Sequence, residues 1–478
     1  MLGRRDILKG SAGYILGAGA LRTGLAAGGR HGGPQPSRPA TGPLRVSSRN
    51  PRYFADQDGR EVYLCGSHMW NNLVDIGPGD PPPAFDFGAY LDFLDRYRHN
   101  FIRLWTWEEV AWDTRANGKW GKKRPHTVAP HPWARTGPGT ALDGKPKFDL
   151  TRFDDAYFTR LRERVAEAGR RGIYVSAMLF EGWAMQRMEG AWPSHPFHPK
   201  NNINGVDGDR NGDGRGFEIH TLSLPEITAL QEAYVKKVVE TVGDLDNVLY
   251  EISNENHPAS TRWQYHMIRL IRKIESKRAK QHPVGMTFQF KGGDNKTLFD
   301  SPADWISPNR DGGYVSDPPA NDGRKVILTD TDHLWGIGGT LDWVWKSFTR
   351  GLNPIFMDPY DGMVLGPRFA PKWDPVRRGM GQTRRLADDI GLGSMTPHGE
   401  LASTGYCLAD PGRQYVVYAP KGVEIKVDLS HASGAMSVTW IDARTGKRTG
   451  GGSVEPGRRA LAPPKTGKWA LWIRRPPS

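Results

Sequence analysis

Short runs of apolar residues alternate with amphipathic stretches from residue 61 to about residue 395. After Asp86, the apolar residues Phe87, Tyr90, Leu91 and Leu94 recur at i, i+3, i+4 and i+7, which is the period of an α-helix with one buried face. The short apolar runs, bounded by Gly, Asn or polar clusters, are instead typical of buried parallel strands. Eight of these runs are predicted as strands: 62–66, 100–105, 173–178, 247–252, 284–288, 305–306, 325–329 and 354–357.

Helices are predicted between these strands, most clearly over 154–168, 225–242 and 263–274. An alternation of this length indicates an α/β protein, and we predict a closed (β/α)8 TIM barrel. An open, doubly wound sheet fits the same alternation. However, the sequence contains neither of the glycine-rich nucleotide-binding motifs, G-x-G-x-x-G or G-x-x-x-x-G-K-[ST], that usually accompany that fold.

The pattern changes after about residue 396, where helical periodicity ends. Strand-like runs at 414–419, 423–427, 438–441 and 469–473 are separated by turns rich in Pro, Gly, Asp and Ser. This spacing predicts a small all-β sandwich. We therefore assign residues 46–395 to the barrel and residues 396–478 to the sandwich.

The first 27 residues have the features of an export signal. Arg4 and Arg5 precede a short apolar stretch, and small residues end it near Ala27, as in a twin-arginine signal peptide. A basic amphipathic helix is the alternative interpretation. Residues 28–45 then form a linker, and the protein is expected in the periplasm or outside the cell. Export in the folded state also fits a chain with only two cysteines, Cys65 and Cys407.

Composition narrows the choice of protein class. A hydrophobic share of 37 % and 17 Trp argue against intrinsic disorder. The body of the chain has no uncharged apolar run of about 18 residues, so no membrane span is predicted for the mature chain. Removal of residues 1–27 lowers the net charge from +13 to near +10.

Much of this positive charge lies at the C-terminus. Residues 396–478 hold twelve Lys or Arg against six Asp or Glu. Because no Lys/Arg run is interleaved with aromatic residues, binding of nucleic acid is not expected. The basic region is either a solvated face or a surface for an acidic polysaccharide or cell surface.

Polar and aromatic side chains follow the predicted strands, at the end where a β/α barrel carries its active site. In chain order, the candidate substrate-binding residues are His68, Trp70, Asn71, Arg103, Trp105, Trp107, Glu108, Glu181, Trp183, Asn254, His333, Trp335 and Asp358. The candidate catalytic residues are Glu255, Asp330 and Asp332. Flat aromatic rings beside carboxyl groups suit a sugar substrate, although large rings also fill large cores.

Two carboxyl groups on opposite sides of the mouth would suffice for glycoside hydrolysis, one protonated and one ionised. Glu255 follows strand 4 and Asp330 follows strand 7, so the two would face each other. Asn254 would hydrogen-bond a sugar 2-hydroxyl, and Arg103 would keep one carboxylate ionised. The alternatives are that Glu255 stabilises a helix N-terminus and that Asp332 and Asp358 only cap loops.

Asn254-Glu255, Arg103 and an acid after strand 7 resemble the clan A glycoside hydrolases. More narrowly, residues 65–70, 99–105 and 330–335 resemble the apiosidase-like family, and the C-terminal region resembles the collagen-binding domain that often follows it. The resemblance covers about residues 46–475 and implies a retaining mechanism, with Glu255 as acid/base and the strand-7 acid as nucleophile.

This sequence departs from the clan pattern at the nucleophile. Clan A enzymes usually have Glu there, whereas strand 7 offers Asp330 and Asp332. We prefer Asp330 because it directly follows the strand, and Asp332 is the second choice. The shorter side chain leaves both the retaining and the inverting outcome open.

The segment 207–218 matches the calcium-loop pattern D-x-[DN]-x-[DN]-G-x₅-E at every specified position. The candidate ligands of a structural calcium ion are Asp207, Asp209, Asn211, Asp213 and Glu218. An Asp/Gly-rich cluster of turns without metal is the alternative. Catalysis itself is expected to need no cofactor.

The sequence therefore predicts a secreted glycoside hydrolase that acts on side chains of a polysaccharide or oligosaccharide. The alternative is a non-catalytic protein that binds carbohydrate or a surface through a degenerate barrel. A protease is not expected, because neither H-E-x-x-H nor G-x-S-x-G occurs in the chain.

Overall fold

The computed structural model describes residues 38–113, 125–188, 190–360, 362, 365 and 371–476. The predicted signal segment 1–27 and the first part of the linker lie outside these residues. Within the described part, no helix has both the length and the apolarity that a membrane span requires.

Eight parallel strands form a nearly closed barrel, as the sequence predicts. They are Gly66–His68, Phe101–Leu104, Tyr174–Glu181, Val248–Asn254, Val284–Thr287, Trp305–Ser307, Val326–Asp330 and Asn353–Met357. Strands 2 to 7 each pair with the next strand in chain order, and strand 8 pairs with strand 1. In the described part of the chain, no ladder joins strands 1 and 2, where the barrel stays open. Every strand residue is buried. This burial explains the continuous apolar runs in the sequence, because a parallel barrel is covered on both faces.

Helices alternate with these strands and cover the barrel. Their bounds are Phe87–Tyr97, Asp155–Arg170, Trp183–Arg187, Ala191–Ser194, Pro225–Val242, Thr261–Glu275, Asn295–Phe299, Thr331–Leu334, Leu341–Thr349 and Asp374–Ile390. Local sequence sets several of the starts. The carboxylates of Asp86 and Asp154 accept hydrogen bonds from first-turn amides, each at 2.9 Å, and Pro225 occupies the first turn of its helix.

The first barrel strand lies later in the chain than predicted. The prediction placed it at 62–66, whereas Glu61–Val62 joins a small sheet with Arg45–Val46 and Phe54–Ala55. The backbone amides of the intervening Leu64 and Cys65 donate hydrogen bonds to side-chain amide oxygens of other elements, and not to a neighbouring strand. The barrel strand begins at Gly66, where a Cβ atom would lie 1.8 Å from the carbonyl oxygen of Phe101. Glycine thus allows the first and second barrel strands to approach closely.

Two small β structures are formed by segments that follow the first two barrel strands in the chain. Asp75–Gly77, Pro125–Ala129 and Ala111–Asp113 form an antiparallel sheet. Trp133–Thr140 and Pro146–Phe153 form a hairpin. Neither structure is predicted from the sequence.

The C-terminal region is all-β, as predicted. Its six-stranded sheet contains, in spatial order, Thr396–Pro397, Cys407–Asp410, Gln414–Ala419, Trp469–Arg474, Met436–Asp442 and Arg448–Val454. Ile425–Asp428 and Arg458–Leu461 form a second, two-stranded sheet. The region packs on helix Leu341–Thr349, where Trp345 stacks on Tyr418 and donates a hydrogen bond to the carbonyl of Ala443 at 3.1 Å.

Candidate active site

A cavity of about 900 Å³ opens at the carboxyl ends of the barrel strands. Seven of the sequence-predicted site residues line it: Trp70, Trp183, Asn254, Glu255, Asp332, His333 and Trp335. Phe288, Phe290 and Trp373 also line the cavity and were not predicted as site residues. Phe288 ends the predicted strand 284–288, Phe290 lies just beyond it and Trp373 lies in the last βα segment. A concave site with aromatic walls and a few converging polar groups is typical of a ligand-binding pocket.

Glu255 is held in a constrained backbone position at the end of strand 4. Its φ of +42° lies in the left-handed region, which residues other than glycine rarely adopt and which clusters at functional sites. Gln186 donates a hydrogen bond to its carbonyl oxygen at 2.8 Å. A Cβ atom at Gly182 would lie 2.5 Å from Cα of Asn256, so strand 3 packs directly against the next residue. The backbone of Glu255 is therefore held in place at the cavity wall.

The surroundings of Glu255 favour its protonated form. Burial raises the pKa of this carboxyl well above its ordinary value, and the negative charges of Asp332 and Glu181 raise it further. The positive charge of Arg103 opposes this effect without reversing it. Such a group can donate a proton at neutral pH, as a general acid must.

Asp330 lies beneath the cavity and does not line it. Its carboxylate is 1 % exposed and is bonded by Nε2 of His68 at 2.9 Å, by Arg103 at 3.0 Å and by the amide of Asp332 at 2.9 Å. Burial opposes ionisation, but His68 and Arg103 outweigh it and lower the pKa of Asp330. Because its oxygens are occupied by these donors, Asp330 is an ionised anchor and is poorly placed to meet a substrate.

Asp332, the second choice for the nucleophile, lies at the cavity wall, where Asp330 was predicted first. Its carboxylate accepts a hydrogen bond from Nη1 of Arg103 at 3.2 Å and has 7 % side-chain exposure. Burial raises the pKa of Asp332, Arg103 lowers it and Asp330 raises it, with a result of about 6. Asp332 is therefore mostly ionised at neutral pH while Glu255 carries a proton.

Arg103 connects the carboxylates beneath the cavity. Besides Asp330 and Asp332, it donates from Nε to Glu251 at 2.9 Å and from Nη2 to Oδ1 of Asn254 at 2.6 Å. Its guanidinium lies 4.8 Å from the ring centroid of Trp105. The arginine is 2 % exposed, so its partners are needed to offset the loss of hydration.

Asn254 is fixed by three partners around its amide. Its Oδ1 accepts from Arg103 and from Nε2 of His333 at 3.3 Å, while Nδ2 donates to Glu181 at 3.3 Å. His333 is buried, which lowers its pKa to about 3 and keeps it neutral. The asparagine thus links the ionic network to the carboxyl group of Glu181.

The predicted tryptophans divide into two groups. Trp70, Trp183 and Trp335 line the cavity, whereas Trp105 and Trp107 are fully buried and pack beside Trp70 with ring centroids about 6 Å or less apart. Trp105 also stacks on the His68 ring. These two residues support the floor of the cavity and do not face a ligand.

The remaining predicted binding residues also lie behind the cavity wall: His68, Asn71, Arg103, Glu108, Glu181 and Asp358. Glu108 receives a hydrogen bond from the amide of Glu181 at 2.9 Å and contacts His220 at 3.0 Å. Burial raises the pKa of Glu108, but His220 and His195 outweigh the effect of burial and lower this pKa to about 2. Asp358 pairs with Arg377, with Nε and Oδ2 2.8 Å apart.

Glu181 is a buried positioning residue at the end of strand 3. Its two oxygens accept from the amides of Trp183 and Ala184 at 2.9 and 2.8 Å, which orients the short helix that carries Trp183. Burial raises the pKa of Glu181 to about 8. Glu109, which the sequence analysis did not select, is also fully buried and its pKa is raised by burial and by Glu181.

The predicted calcium loop brings together three of its five candidate ligands. Carboxylate oxygens of Asp209, Asp213 and Glu218 lie within 4.8 Å of one another. The backbone has φ +72° at Gly212, where the calcium-loop pattern requires its turn. The side chains of Asp207 and Asn211 lie outside this group and accept hydrogen bonds from backbone amides two residues later, at 3.0 and 2.8 Å. Asp209, Asp213 and Glu218 also accept hydrogen bonds from backbone amides of the loop.

Comparison with known sequences gives a partial match. Residues 124–295 match a protein family described as Domain of unknown function (DUF6298). This segment covers barrel strands 3, 4 and 5, Glu255 and the candidate calcium loop. No curated protein sequence matches the chain.

Comparison with solved structures places the fold among known proteins. A structure described as a glycoside hydrolase aligns over 91 % of this chain and 97 % of its own, with a TM-score of 0.58 and 14 % identity. A glycoside hydrolase family 5 protein from Bacteroides vulgatus aligns over 92 % of this chain and 95 % of its own, with a TM-score of 0.60 and 13 % identity. The chain thus shares with both proteins a fold that spans the barrel and the C-terminal β region.

Proposed function

We propose that the protein is a glycoside hydrolase in which Glu255 is the acid/base and Asp332 is the nucleophile. One observation carries this proposal: a protonated and an ionised carboxyl group, from the ends of strands 4 and 7, line the same aromatic cavity. This is the pair that glycosidic bond cleavage requires. The fold shared with proteins described as glycoside hydrolases supports the proposal.

In the first step, Glu255 gives its proton to the glycosidic oxygen as the bond from that oxygen to the anomeric carbon breaks. The carboxylate of Asp332 attacks the anomeric carbon and forms a glycosyl ester. Glu255, now a carboxylate, then takes a proton from water as the water oxygen attacks the same carbon. The ester bond breaks, Asp332 leaves as a carboxylate and the anomeric configuration is retained.

Arg103 and Asp330 serve this chemistry as positioning residues. Arg103 holds Asp332 from below and favours its ionised form, and Asp330 and Glu251 keep the guanidinium in place. An ionic network that is already assembled before substrate binds needs little rearrangement during the reaction.

Turnover by the Glu255→Gln variant tests the proposal. Glutamine keeps the size of the side chain but donates no proton, so kcat on a glycan and aryl-glycoside panel should fall by roughly 10²–10⁴-fold. NMR of the first product will show retention or inversion of the anomeric configuration. Glu424→Gln, in the C-terminal region, is the matched control and should leave kcat unchanged. Unchanged hydrolysis by Glu255→Gln would contradict the assignment, and glycan binding without hydrolysis by the unmodified protein would favour the non-catalytic alternative.

The narrower family assignment is also a proposal. The residue stretches 65–70, 99–105 and 330–335 support an apiosidase-like barrel, and the C-terminal strands support the accompanying collagen-binding type of domain. Export by a twin-arginine signal is proposed from residues 1–27 alone. Release of a labelled, folded fusion into the periplasm or medium, abolished by Arg4→Lys and Arg5→Lys together, would support that route.

We propose further that the loop 207–218 binds a structural calcium ion. The motif, the left-handed Gly212 and the convergence of Asp209, Asp213 and Glu218 support this proposal. Hard oxygen ligands at this spacing suit calcium. The ion would stabilise the loop after strand 3, and no catalytic step depends on it.

A further inference from the structure

Three cationic side chains line the mouth of the active-site cavity beside its aromatic walls: Arg187, Arg310 and Lys372. They come from the loops after strands 3, 6 and 8, so they approach the cavity from separate sides of the barrel. All three are exposed. Within the described part of the chain, none of them forms an ion pair.

The acidic residues of the cavity offset these cations only in part. Asp332 is bonded from below by Arg103, and Glu255 is held in its protonated form by burial. Asp311, the third acid of the lining, accepts a hydrogen bond from the side-chain amide of Asn309 at 3.0 Å. Asp311 keeps its negative charge, and Arg103 is shared by Asp332, Asp330 and Glu251. The three cations therefore outnumber the two ionised carboxylates of the lining, Asp311 and Asp332, and the mouth keeps an excess of positive charge.

An aromatic ring lies beside one of the cations, and a second cation lies on a helix that begins with an aromatic residue. Lys372 lies 4.7 Å from the ring centroid of Trp373, and Arg187 ends the short helix that begins with Trp183. Both rings line the cavity. An aromatic ring can pack on the face of a sugar, and a cation next to it can pair with an anionic substituent of the same sugar. One charged sugar unit is then recognised at two points.

We propose that the substrate is an anionic glycan that carries carboxylate or sulfate groups on several of its sugar units. This inference rests on the proposed function, because it assigns the substrate class of the same cavity. Three separated cations match repeated charges along a chain better than one charged sugar. The basic C-terminal region, with twelve Lys or Arg against six Asp or Glu in residues 396–478, would attract the same polymer over a longer range.

Binding and turnover together test this inference. The probes are oligomers of galacturonate, glucuronate and mannuronate, with the neutral and O-sulfated oligomers of the corresponding hexoses. Calorimetry with the Glu255→Gln variant measures affinity without turnover. The variant that combines Glu255→Gln with Arg187→Gln, Arg310→Gln and Lys372→Gln should bind the preferred anionic oligomer at least about 10-fold more weakly, a loss on the scale of one well-formed interaction. Its affinity for the neutral counterpart should change little.

A matched control separates the site from the net charge. Arg96→Gln, Lys277→Gln and Arg385→Gln remove the same charge from exposed positions outside the cavity lining. This variant should bind the anionic oligomer as tightly as its parent. Comparison of the uronate and sulfated series identifies which anionic group is recognised.

The outcomes distinguish this inference from the proposed function. Equal or better binding and hydrolysis of the neutral oligomers by the unmodified protein would overturn the anionic substrate and leave the hydrolase proposal intact. An equal loss of affinity in the cavity variant and the control variant would also overturn it. Hydrolysis that persists in Glu255→Gln would instead contradict the proposed function, whatever the charge of the substrate.

Discussion

Two layers of ionisable groups at the carboxyl end of the barrel have similar composition but different surroundings. The upper layer, Glu255 and Asp332, lines the cavity. The lower layer, Arg103, Glu251 and Asp330, is at most 2 % exposed and is bonded internally. Contacts and burial therefore matter more than residue type. They decide whether an acidic residue can contact substrate or instead positions the acidic residue that does.

The largest expected effect separates the two aspartates. Asp332→Gly should lower kcat on the order of 10⁴–10⁶-fold, because it removes the attacking carboxylate. Azide can occupy the vacated space and attack the anomeric carbon, so it should restore product formation as a glycosyl azide. Asp330→Gly should lose activity without azide rescue and should unfold at lower temperature, since it leaves Arg103 and His68 without their shared partner.

The control for this experiment is the pair of thermal unfolding curves. Asp332→Gly should unfold close to the unmodified protein, because its carboxylate accepts a single bond from Arg103. Azide rescue of Asp330→Gly but not of Asp332→Gly would return the nucleophile to Asp330 and reverse the roles of the two layers.

The second prediction concerns the stability of the lower layer. Arg103→Met leaves buried carboxylates without their cation and should lower the free energy of unfolding by about 3–5 kcal/mol. Arg103→Lys keeps the charge but loses the forked geometry, and should be less harmful. Arg162→Met, which breaks an exposed pair with Asp244, should cost at most about 1 kcal/mol. Chemical denaturation measures all three, and equal losses at Arg103 and Arg162 would contradict the buried network.

The third prediction is a pH profile governed by the upper layer. Asp332 must be ionised to attack, and its pKa is about 6, so kcat/KM should fall about tenfold per pH unit as the pH drops below that value. At higher pH the rate should fall again as Glu255 loses the proton that it must donate. In Glu255→Gln the alkaline fall should disappear while the acidic fall remains. A profile that keeps its alkaline fall in this variant would assign that step to another group.

The smallest effect is expected for the loop 207–218, which belongs to neither layer. Removal of calcium with a chelator should lower the unfolding temperature by a few degrees, because an ion present at about 100 times its Kd contributes about 2.7 kcal/mol. Asp209→Asn together with Asp213→Asn should abolish the chelator effect. Differential scanning calorimetry with and without added calcium measures both, and identical curves for the unmodified protein would exclude a structural ion.

Several parts of this fold are readable from local sequence because local chemistry sets them. The helix starts at Asp86 and Asp154 follow from side chains that cap their own helices, and the apolar runs mark strands buried on both faces. The first strand was misplaced because residues 62–66 are as apolar as a strand. Only the pairing of Gly66 with Ile355 of strand 8, distant in the chain, shows where the strand begins.

The division among the tryptophans shows the same limit. Trp70, Trp105, Trp107 and Trp183 all follow strand ends and look alike in the sequence. Their rings pack together, and the outer rings exclude the inner ones from the cavity. Trp373 reaches the same cavity from a distant segment, and no local pattern marks it as a ligand-facing residue.

The sequence by itself determined the alternation of strands and helices, the change to β structure after residue 396 and the position of Asn254-Glu255 at a strand end. These features depend on periodicity and on neighbours in the chain. Only the tertiary structure decided that Asp332, not Asp330, lines the cavity, and that three cations converge on its mouth. The physical reason is that Arg103 and His68, far away in sequence, occupy the oxygens of Asp330 and leave Asp332 at the cavity wall.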